Sequence, residues 1–259
     1  MDAPTPTFPQ TVEVDMIFPR NETYAPPQFM PFVFAVQNFH VAKPLFLQFY
    51  YTLDQVPYVS TSPTIGQRYL DGANYSSSNT HFEYGWTSKL NNTEGTWKLT
   101  WEWSAGNCSR SEDRAEPFQF GTDGRRSIVY FTTKNGAPSL DLVAATQDGI
   151  CDKSEAHTLN ITEVLDVPSG TRYYNNQPSC PLLSTITPIP NPCGAKIDSA
   201  AALSISYAIQ SSACIGGASP TVTCPPGVET TNSAPRAVHF SAGGAALLAA
   251  TLAWLAHLT

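Results

Sequence analysis

The stretch WKLTWEW, residues 97–103, decides the fold, because large apolar and polar side chains alternate strictly along it. An alternation with a period of two is typical of a β-strand that has one buried face. That face carries Trp97, Leu99, Trp101 and Trp103. Aromatic platforms also stack on sugar rings, but the strict spacing and the leucine within the stripe favour a hydrophobic core, where large aromatic side chains dominate the buried area.

Strand-like patterns recur on both sides of this stretch. In TVEVDMIF, residues 11–18, apolar side chains again alternate with acids. Residues 32–39 and 45–53 are apolar on both faces, as central strands of a sandwich are. The polar region 57–79 is expected to form a surface loop with room for one edge strand. Further predicted strands lie at 82–86, 127–133, 140–146 and 157–164.

Turn signals separate these strands. Residues 91–95, Asn-Asn-Thr-Glu-Gly, predict a hairpin that joins the strands on either side, and Asn135-Gly136 predicts a tight turn before residues 140–146. Helical periodicity is missing before residue 195. The sequence therefore predicts a mainly β fold, an antiparallel β-sandwich within residues 1–175.

The composition changes after this predicted domain. Residues 176–226 contain repeated prolines and four of the six cysteines, which predicts a small Cys-stapled appendage. Within it, Asp198 is expected to cap a short helix at about residues 199–212. Residues 227–241 are rich in Gly, Pro, Thr and Ser, and they are expected to form a flexible stalk and spacer.

The even number of cysteines predicts three disulfides in an oxidising compartment. The cysteines are Cys108, Cys151, Cys180, Cys193, Cys214 and Cys224. Because Cys108 and Cys151 are the two that fall within the predicted sandwich, we expect them to pair. The four in the appendage allow three pairings, of which Cys193–Cys214 would bracket the helix. No CxxC pair occurs, which argues against a zinc site.

The hydrophobic segment AGGAALLAATLAWLAHLT, residues 242–259, contains no Asp, Glu, Lys or Arg. A tail of this kind, preceded by a polar spacer and consecutive small residues, is the signal for replacement by a glycosylphosphatidylinositol (GPI) lipid. Asn232 is the expected attachment site, with Thr231 or Ser233 as alternatives. A tail-anchored transmembrane helix is the competing interpretation, but the segment is barely long enough and lacks flanking charge.

Five acceptor sites for N-glycosylation agree with a secretory route: Asn21, Asn74, Asn91, Asn107 and Asn160. We expect a glycan on Asn160 to project into solvent, since the neighbouring Leu159 and Ile161 form an opposite, apolar face. Residues 1–9 contain no apolar stretch of the kind that a secretion signal requires, and we expect that signal to have been lost. The net charge of −7 argues against nucleic-acid binding.

No catalytic set, metal site or cofactor site emerges from the sequence. Four acids lie on predicted strands opposite apolar faces, and we interpret them as solvated outward charges: Asp15, Glu83, Glu102 and Asp141. No two of them stand out as the carboxylate pair of a glycosidase. The histidines are scattered rather than spaced as metal ligands. A Gly-x-Ser-x-Gly motif, a phosphate loop and a dinucleotide fingerprint are all missing.

The segment TVEVDMIFPRNETYAPPQFMPFVFAVQN, residues 11–38, resembles the opening of a family of secreted proteins from filamentous ascomycete fungi, the domain of unknown function 7136. The similarity is most specific over residues 14–24 and 31–38. It extends with gaps to about residue 225, through PCGAKIDSAAALSIS at 192–206 and CPP at 224–226. Family members commonly end in a GPI-type tail. The resemblance implies a fungal cell-surface protein and supplies no activity; the chain departs from the family in lacking a signal peptide.

These features together suggest a non-enzymatic, GPI-anchored glycoprotein at the outer face of the plasma membrane or in the cell wall. Its expected roles are wall organisation, adhesion or ligand binding, with the membrane as a partner through the lipid, and wall polysaccharide or surface proteins as further partners. The alternative is a carbohydrate-active enzyme on the same anchor that remodels wall polysaccharide. Candidates for exposed aromatic residues are Tyr50, Tyr51, Tyr69, Tyr75, Tyr173 and Tyr174.

Overall fold

The computed structural model describes residues 7–57, 64–76, 79–112, 118–167, 178–216, 224–226 and 228. The strands of this part are β1 Gln10–Phe18, β2 Thr23–Tyr24, β3 Met30–Gln37, β4 Gln48–Val56, β5 Thr64–Tyr69, β6 Thr80–Thr87, β7 Gly95–Arg110, β8 Phe118–Thr133, β9 Glu155–Asp166 and β10 Ser179–Leu183. The α-helices are α1 Leu142–Ala145 and α2 Ser199–Ile215, and 3₁₀ turns lie at Phe39–Val41, Lys43–Leu45, Cys151–Lys153 and Pro192–Gly194.

The strands form two five-stranded sheets that pack as a sandwich. The first sheet has the order β10-β9-β1-β3-β6, and the second has the order β2-β8-β7-β4-β5. Neighbouring strands run antiparallel, except that the short β2 pairs with β8 in parallel. The predicted mainly β sandwich is confirmed. The strand expected within the polar region 57–79 is β5, at the edge of the second sheet.

The core lies between the sheets and contains the tryptophan stripe. The side chains of Trp97, Leu99, Trp101 and Trp103 are all buried, and they meet inward residues of β1 and β3. Trp101, for example, lies 5.6 Å from Phe34 between ring centroids. The core interpretation of this stripe is therefore confirmed. A stripe that is buried in this way cannot serve as a sugar platform.

The predicted hairpin at residues 91–95 is wrong. β6 pairs with β3 in the first sheet, whereas β7 pairs with β4 and β8 in the second sheet. The connection between them crosses from one sheet to the other. Turn-forming residues mark where a strand ends, but they do not decide which strand edge the next strand joins.

The strand predicted at 140–146 is also wrong, because this segment forms the short helix α1. The carboxylate of Asp141 accepts a hydrogen bond from the backbone N–H of Ala144 at 2.9 Å, which is a helix N-cap. Leu142 and Ala145 then point to the same side and are buried. The spacing of three residues between Leu142 and Ala145 fits one helical turn. In a segment this short, a helical and a strand pattern of apolar residues cannot be told apart.

The outer face of the first sheet is covered by the residues that follow β10. We call residues 184–198 the strap; it crosses β9 and β1. Thr158 Oγ1 donates to the carbonyl of Pro188 at 2.6 Å. α2 follows, and Ser212 Oγ accepts a hydrogen bond from the indole of Trp86 on β6 at 3.3 Å. Asp198 caps α2 as predicted, accepting from Ala201 N at 2.8 Å, and the helix continues to Ile215 instead of ending near 212.

The predicted boundary after residue 175 divides elements that the structure joins. β10 hydrogen-bonds with β9 along the first sheet, so part of the expected appendage is a strand of the sandwich. Ile205 and Ile209 of α2 belong to the same buried cluster as the core strands. Among the described residues, no helix combines the length and the hydrophobicity that crossing a membrane requires.

The disulfides differ from the expected pairing. All six cysteines are bonded, as predicted, but the pairs are Cys108–Cys180, Cys151–Cys193 and Cys214–Cys224. Cys108 lies near the end of β7, where that strand meets β10, so its partner comes from β10 and not from the loop before β9. Neither Cys108–Cys151 nor Cys193–Cys214 forms. Assignment of the cysteines to a sandwich and a separate appendage was a poor guide, because Cys108–Cys180 and Cys151–Cys193 each join the two parts.

Two glycines make room for Tyr51 between the edge strands β5 and β6. A Cβ atom at Gly85 would lie 2.0 Å from the Tyr51 hydroxyl oxygen, and one at Gly66 would lie 2.0 Å from its ring. We expect Gly85→Ala to lower the free energy of unfolding by about 1–3 kcal/mol, since the buried ring has no space to retreat. Adding Tyr51→Phe should restore part of this loss, because it removes the hydroxyl from the contact.

Chemical denaturation of the single and double variants measures this coupling. Gly72→Ala is the matched control, because nothing lies within 4 Å of a Cβ at that exposed position. Equal stability of Gly85→Ala and Gly72→Ala would contradict the packing described for Tyr51.

Candidate functional site

The outer face of the second sheet is open to solvent, in contrast to the covered outer face of the first. Along β4, β5, β7 and β8 the residues that alternate with the core side chains point outward. Three of them are tyrosines with exposed fractions near one half: Tyr50 at 40%, Tyr69 at 43% and Tyr130 at 47%. Ile65 and Ile128 are exposed on the same face. We call this surface the tyrosine face.

The strand register places the three tyrosines on one diagonal. Tyr50 pairs with Gln67 of β5, and Tyr69 lies two residues further along that strand. On the other side, Tyr50 pairs with Glu102 of β7, and Thr100 lies two residues away. Thr100 pairs with Ile128 of β8, and Tyr130 again lies two residues away. A regular diagonal across four neighbouring strands is therefore formed by Tyr69, Tyr50, Thr100 and Tyr130, in that order.

The charges on this face balance. Arg126 and Glu102 form an ion pair at 2.9 Å, and Asp54 pairs with Lys98 in the strand register. Thr52 and Thr100 occupy positions between the aromatic and aliphatic side chains. The face thus combines flat apolar rings with uncharged hydrogen-bonding groups and no excess of either charge.

The tyrosine predictions are partly confirmed. Tyr50 and Tyr69 are exposed as expected, whereas Tyr51 is 2% exposed and belongs to the core, where burial raises its pKa. Tyr75 is half-buried, stacks on Phe39 at 4.4 Å and donates to the carbonyl of Leu70. Tyr173 and Tyr174 lie outside the described residues. Sequence reasoning missed Tyr130, although the alternation in SIVYFTT places it opposite the inward residues of β8.

The five glycosylation sites lie in different parts of the fold. Asn21 lies at the edge of the tyrosine face, because Glu22 accepts a hydrogen bond from Thr132 of β8, two residues after Tyr130. Asn21, Asn74 and Asn91 are exposed in connections between strands. Asn107 and Asn160 are half-buried. Asn107 Oδ1 accepts a hydrogen bond from the backbone N–H of Leu183, the last residue of β10, at 3.1 Å.

The side chain of Asn160 lies against the strap, and the glycan expected there stays a prediction. Its side-chain amide donates to the strap carbonyl of Ile186 at 3.3 Å. Leu159 and Ile161 are buried on the other face of β9, as predicted, but the polar face lies beside the strap. A strand pattern identifies the polar face, and it does not tell what a later segment will place over it.

The interpretation of Asp15 as a solvated charge is wrong. Asp15 is fully buried beneath the strap, beside Glu13 and Gln37. Gln37 Nε2 donates to Asp15 Oδ2 at 2.9 Å, and the backbone N–H of Asn191 donates to both carboxylate oxygens of Glu13 at 2.8 Å. Asp15 Oδ1 accepts no hydrogen bond from the described residues. Burial and the adjoining Glu13 carboxyl together raise the pKa of Asp15 to about 8.

The other three acids take different positions. Glu102 is outward and paired with Arg126, in agreement with its interpretation as a surface charge. Asp141 caps α1 instead of lying on a strand. Glu83 is half-buried, with Arg68 Nε at 3.5 Å and His81 Nε2 at 3.4 Å, so it is not a solvated charge.

One polar cluster was missed by sequence reasoning, because its members come from different sheets. Ser127 Oγ of β8 donates a hydrogen bond to the carboxylate of Glu155 on β9. His157 Nε2 lies 3.4 Å from Ser127 Oγ. Burial lowers the pKa of His157, with the Glu155 charge acting against this effect and Arg125 acting with it. The residue types are those of a hydrolase relay.

The geometry of this cluster does not fit such a relay. In a serine hydrolase the acid bonds Nδ1 of the histidine while the serine bonds Nε2. Here Glu155 approaches Nε2 at 3.8 Å, and the serine hydroxyl is bonded to Glu155 itself. Ser127 is 8% exposed and faces Trp101 across the strand pair. The Ser127 hydroxyl is therefore largely withdrawn from solvent, behind Glu155 and His157.

One group of potential metal ligands occurs in the described part of the chain, formed by Asp148, Cys151 and Cys193. The two sulfur atoms are joined to each other in a disulfide, so neither is a thiolate. Asp148 instead binds the ammonium group of Lys196 at 2.6 Å, and this partner lowers the pKa of its carboxyl. This group therefore does not have the donor set of a metal site.

Comparison with curated proteins gives no match to this chain. A family model described as "Domain of unknown function (DUF7136)" matches residues 7–224. This range runs from just before β1 to Cys224, and it includes both sheets, the strap, α2 and all six cysteines. The chain therefore belongs to the family of the domain of unknown function DUF7136.

Proposed function

We propose that this protein is a GPI-anchored fungal surface glycoprotein that binds neutral wall polysaccharide through the tyrosine face, without catalysing a reaction. The observation that carries the proposal is the open, charge-balanced outer face of the second sheet, with three tyrosines 40–47% exposed. Exposed aromatic rings contribute large rigid contact area at low entropic cost.

The chemistry of the face suits an uncharged polyol. Each tyrosine ring offers an apolar surface for the C–H face of a sugar and a hydroxyl for hydrogen bonding. The paired charges of Glu102 and Arg126 leave no net field that would select an ionic ligand. Thr100 and Gln67 supply further hydrogen-bonding groups beside the rings.

The proposed anchor is compatible with the same function. α2 and the strap cover the first sheet, and the Cys214–Cys224 bond holds the following chain near the end of α2. A lipid on Asn232, beyond the predicted flexible stalk, would hold the sandwich at the membrane and leave the tyrosine face able to meet wall polymers.

The alternative, a wall-remodelling enzyme, has less support. Glu13 and Asp15 are adjoining acids, and the pKa of Asp15 is raised, but the strap covers them and its backbone N–H at Asn191 bonds Glu13. Inverting and retaining glycosidases both need two carboxylates that flank an accessible sugar linkage. A binding role requires only the exposed face.

Sedimentation with insoluble chitin, β-glucan and mannan tests the proposal. We expect the protein to bind at least one of these neutral polymers, and we expect Tyr50→Ala with Tyr69→Ala to weaken binding by about 10-fold or more. Tyr207→Ala is the matched control, because this tyrosine is 51% exposed but lies on α2. Binding to none of the polymers, or equal loss in the control, would overturn the proposal.

Treatment of intact cells with phosphatidylinositol-specific phospholipase tests the anchor separately. Release of the protein into the medium is expected for a GPI lipid on Asn232. An Asn232→Leu variant carrying matching changes at Thr231 and Ser233 should no longer become attached. Retention after lipase treatment, with a known GPI protein released in the same sample, would support the transmembrane tail instead.

A further inference from the structure

We propose that Tyr69, Tyr50, Thr100 and Tyr130 form one linear binding track that selects an extended, unbranched polysaccharide chain with flat, equatorially linked sugar rings. This inference rests on the proposed function and specifies its ligand. The track follows from the strand register alone: each member is displaced by one strand and two residues from the one before it.

The track has a defined length. Diagonal neighbours on one face of an antiparallel pair lie about 7–8 Å apart. The three steps from Tyr69 to Tyr130 therefore span about 21–24 Å, with Tyr69 and Tyr50 adjacent and Tyr130 two steps beyond Tyr50. A short oligosaccharide can contact the adjacent pair, whereas only a longer chain reaches Tyr130 as well.

The surroundings of the track favour a ligand that lies flat and straight. Outward side chains on both sides belong to the same sheet surface, so the rings do not line a pocket that would enclose a chain end. Collinear platforms can stack on successive rings only if the ligand is itself extended. A coiled or heavily branched polymer would meet one ring at a time and would lift away from the other two.

Polar groups beside the track can bond the ring hydroxyls of such a chain. The Glu102–Arg126 pair lies next to Tyr50 and Thr100 on the strand grid, and Lys98 lies next to Tyr130. Because Glu102 and Arg126 form an ion pair and Lys98 faces Asp54 in the strand register, these groups can bond hydroxyls without requiring a charged ligand. Thr100 is short enough to let a chain pass between Tyr50 and Tyr130.

Calorimetric titration with cello- and chito-oligosaccharides from the disaccharide to the octasaccharide tests the track. We expect affinity to rise with length until the ligand spans the three tyrosines, and then to level off. Tyr130→Ala should weaken octasaccharide binding by about 2- to 10-fold and leave disaccharide binding unchanged. Tyr50→Ala should weaken binding of both, because Tyr50 belongs to the adjacent pair.

Different outcomes separate the two proposals. If the protein binds a neutral polymer and Tyr50→Ala weakens that binding, but affinity does not depend on length or Tyr130→Ala has no length-specific effect, then the linear track is wrong and the binding face remains. Tighter binding of branched mannan than of either linear series would also overturn the track. If no polymer or oligosaccharide binds, the proposed function itself fails.

Discussion

An Asp15→Asn variant is expected to be more stable than the natural protein at neutral pH, by about 2–4 kcal/mol. Asp15 is fully buried, and burial together with the Glu13 carboxyl raises its pKa from 3.8 to about 8. An asparagine resembles the protonated acid, since its oxygen can accept from Gln37 and its amide can donate to Glu13. It removes the ionisable group and keeps the shape.

The pH dependence follows from the direction of this shift. Because the pKa of Asp15 is higher in the folded protein than in the unfolded chain, the folded protein binds more protons between the two values. The contribution of Asp15 to the stability of the natural protein should therefore be greatest below about pH 4, fall as the pH rises, and level off above about pH 8. In Asp15→Asn this contribution should be missing, so its stability curve should be flatter.

Denaturant unfolding from pH 4 to pH 8 measures both effects. Glu102→Gln is the matched control: it also removes one acid, but from the exposed Glu102–Arg126 pair, and it should keep the pH dependence of the natural protein. A lower stability of Asp15→Asn at every pH would contradict the prediction. It would mean that the folded protein needs the Asp15 carboxylate in its charged form.

Removal of the Cys108–Cys180 disulfide is expected to lower the free energy of unfolding by about 4 kcal/mol. This bond closes a loop of 72 residues, and on the chain-entropy model a larger loop loses more freedom in the unfolded state when it is closed. The bond also joins β7 of the second sheet to β10 of the first, so it ties the two sheets together at one end. The change is Cys108→Ala with Cys180→Ala.

The two other disulfides are the matched comparison. Cys151–Cys193 closes 42 residues and Cys214–Cys224 closes 10, so their removal should cost about 4 and about 3 kcal/mol respectively. Denaturant unfolding of the three double variants measures the order. Peptide mapping under non-reducing conditions checks the pairing directly, and a peptide that joins Cys108 to Cys151 would overturn the assignment.

Alternation along single strands was the part of this fold that could be predicted. The period of two at residues 97–103 predicts both the strand and its buried tryptophans. Successive side chains of a strand point to opposite faces, so the position of a residue along the strand decides whether it is buried. The same rule could have predicted the exposure of Tyr130. The N-cap at Asp198 was predictable too, because capping depends on residues within one turn.

Contacts between distant segments were beyond the reach of this reasoning. The partner of Cys108 depends on where β10 joins the first sheet, and the burial of Asp15 depends on the strap that arrives more than 170 residues later. Ser127, Glu155 and His157 come together because β8 and β9 lie in facing sheets. None of these contacts between distant residues produces a local signal in composition or spacing.

The sequence by itself determined that this protein is a β-sandwich with a tryptophan core, because side-chain periodicity acts within each strand. Only the tertiary structure decided which outward face remains open. Both sheets have polar residues on their outer faces, but the strap and α2 cover the first, while the second keeps Tyr69, Tyr50 and Tyr130 in solvent. The alignment of those rings depends on strand register across four neighbours, which hydrogen bonding between strands sets and no single strand encodes.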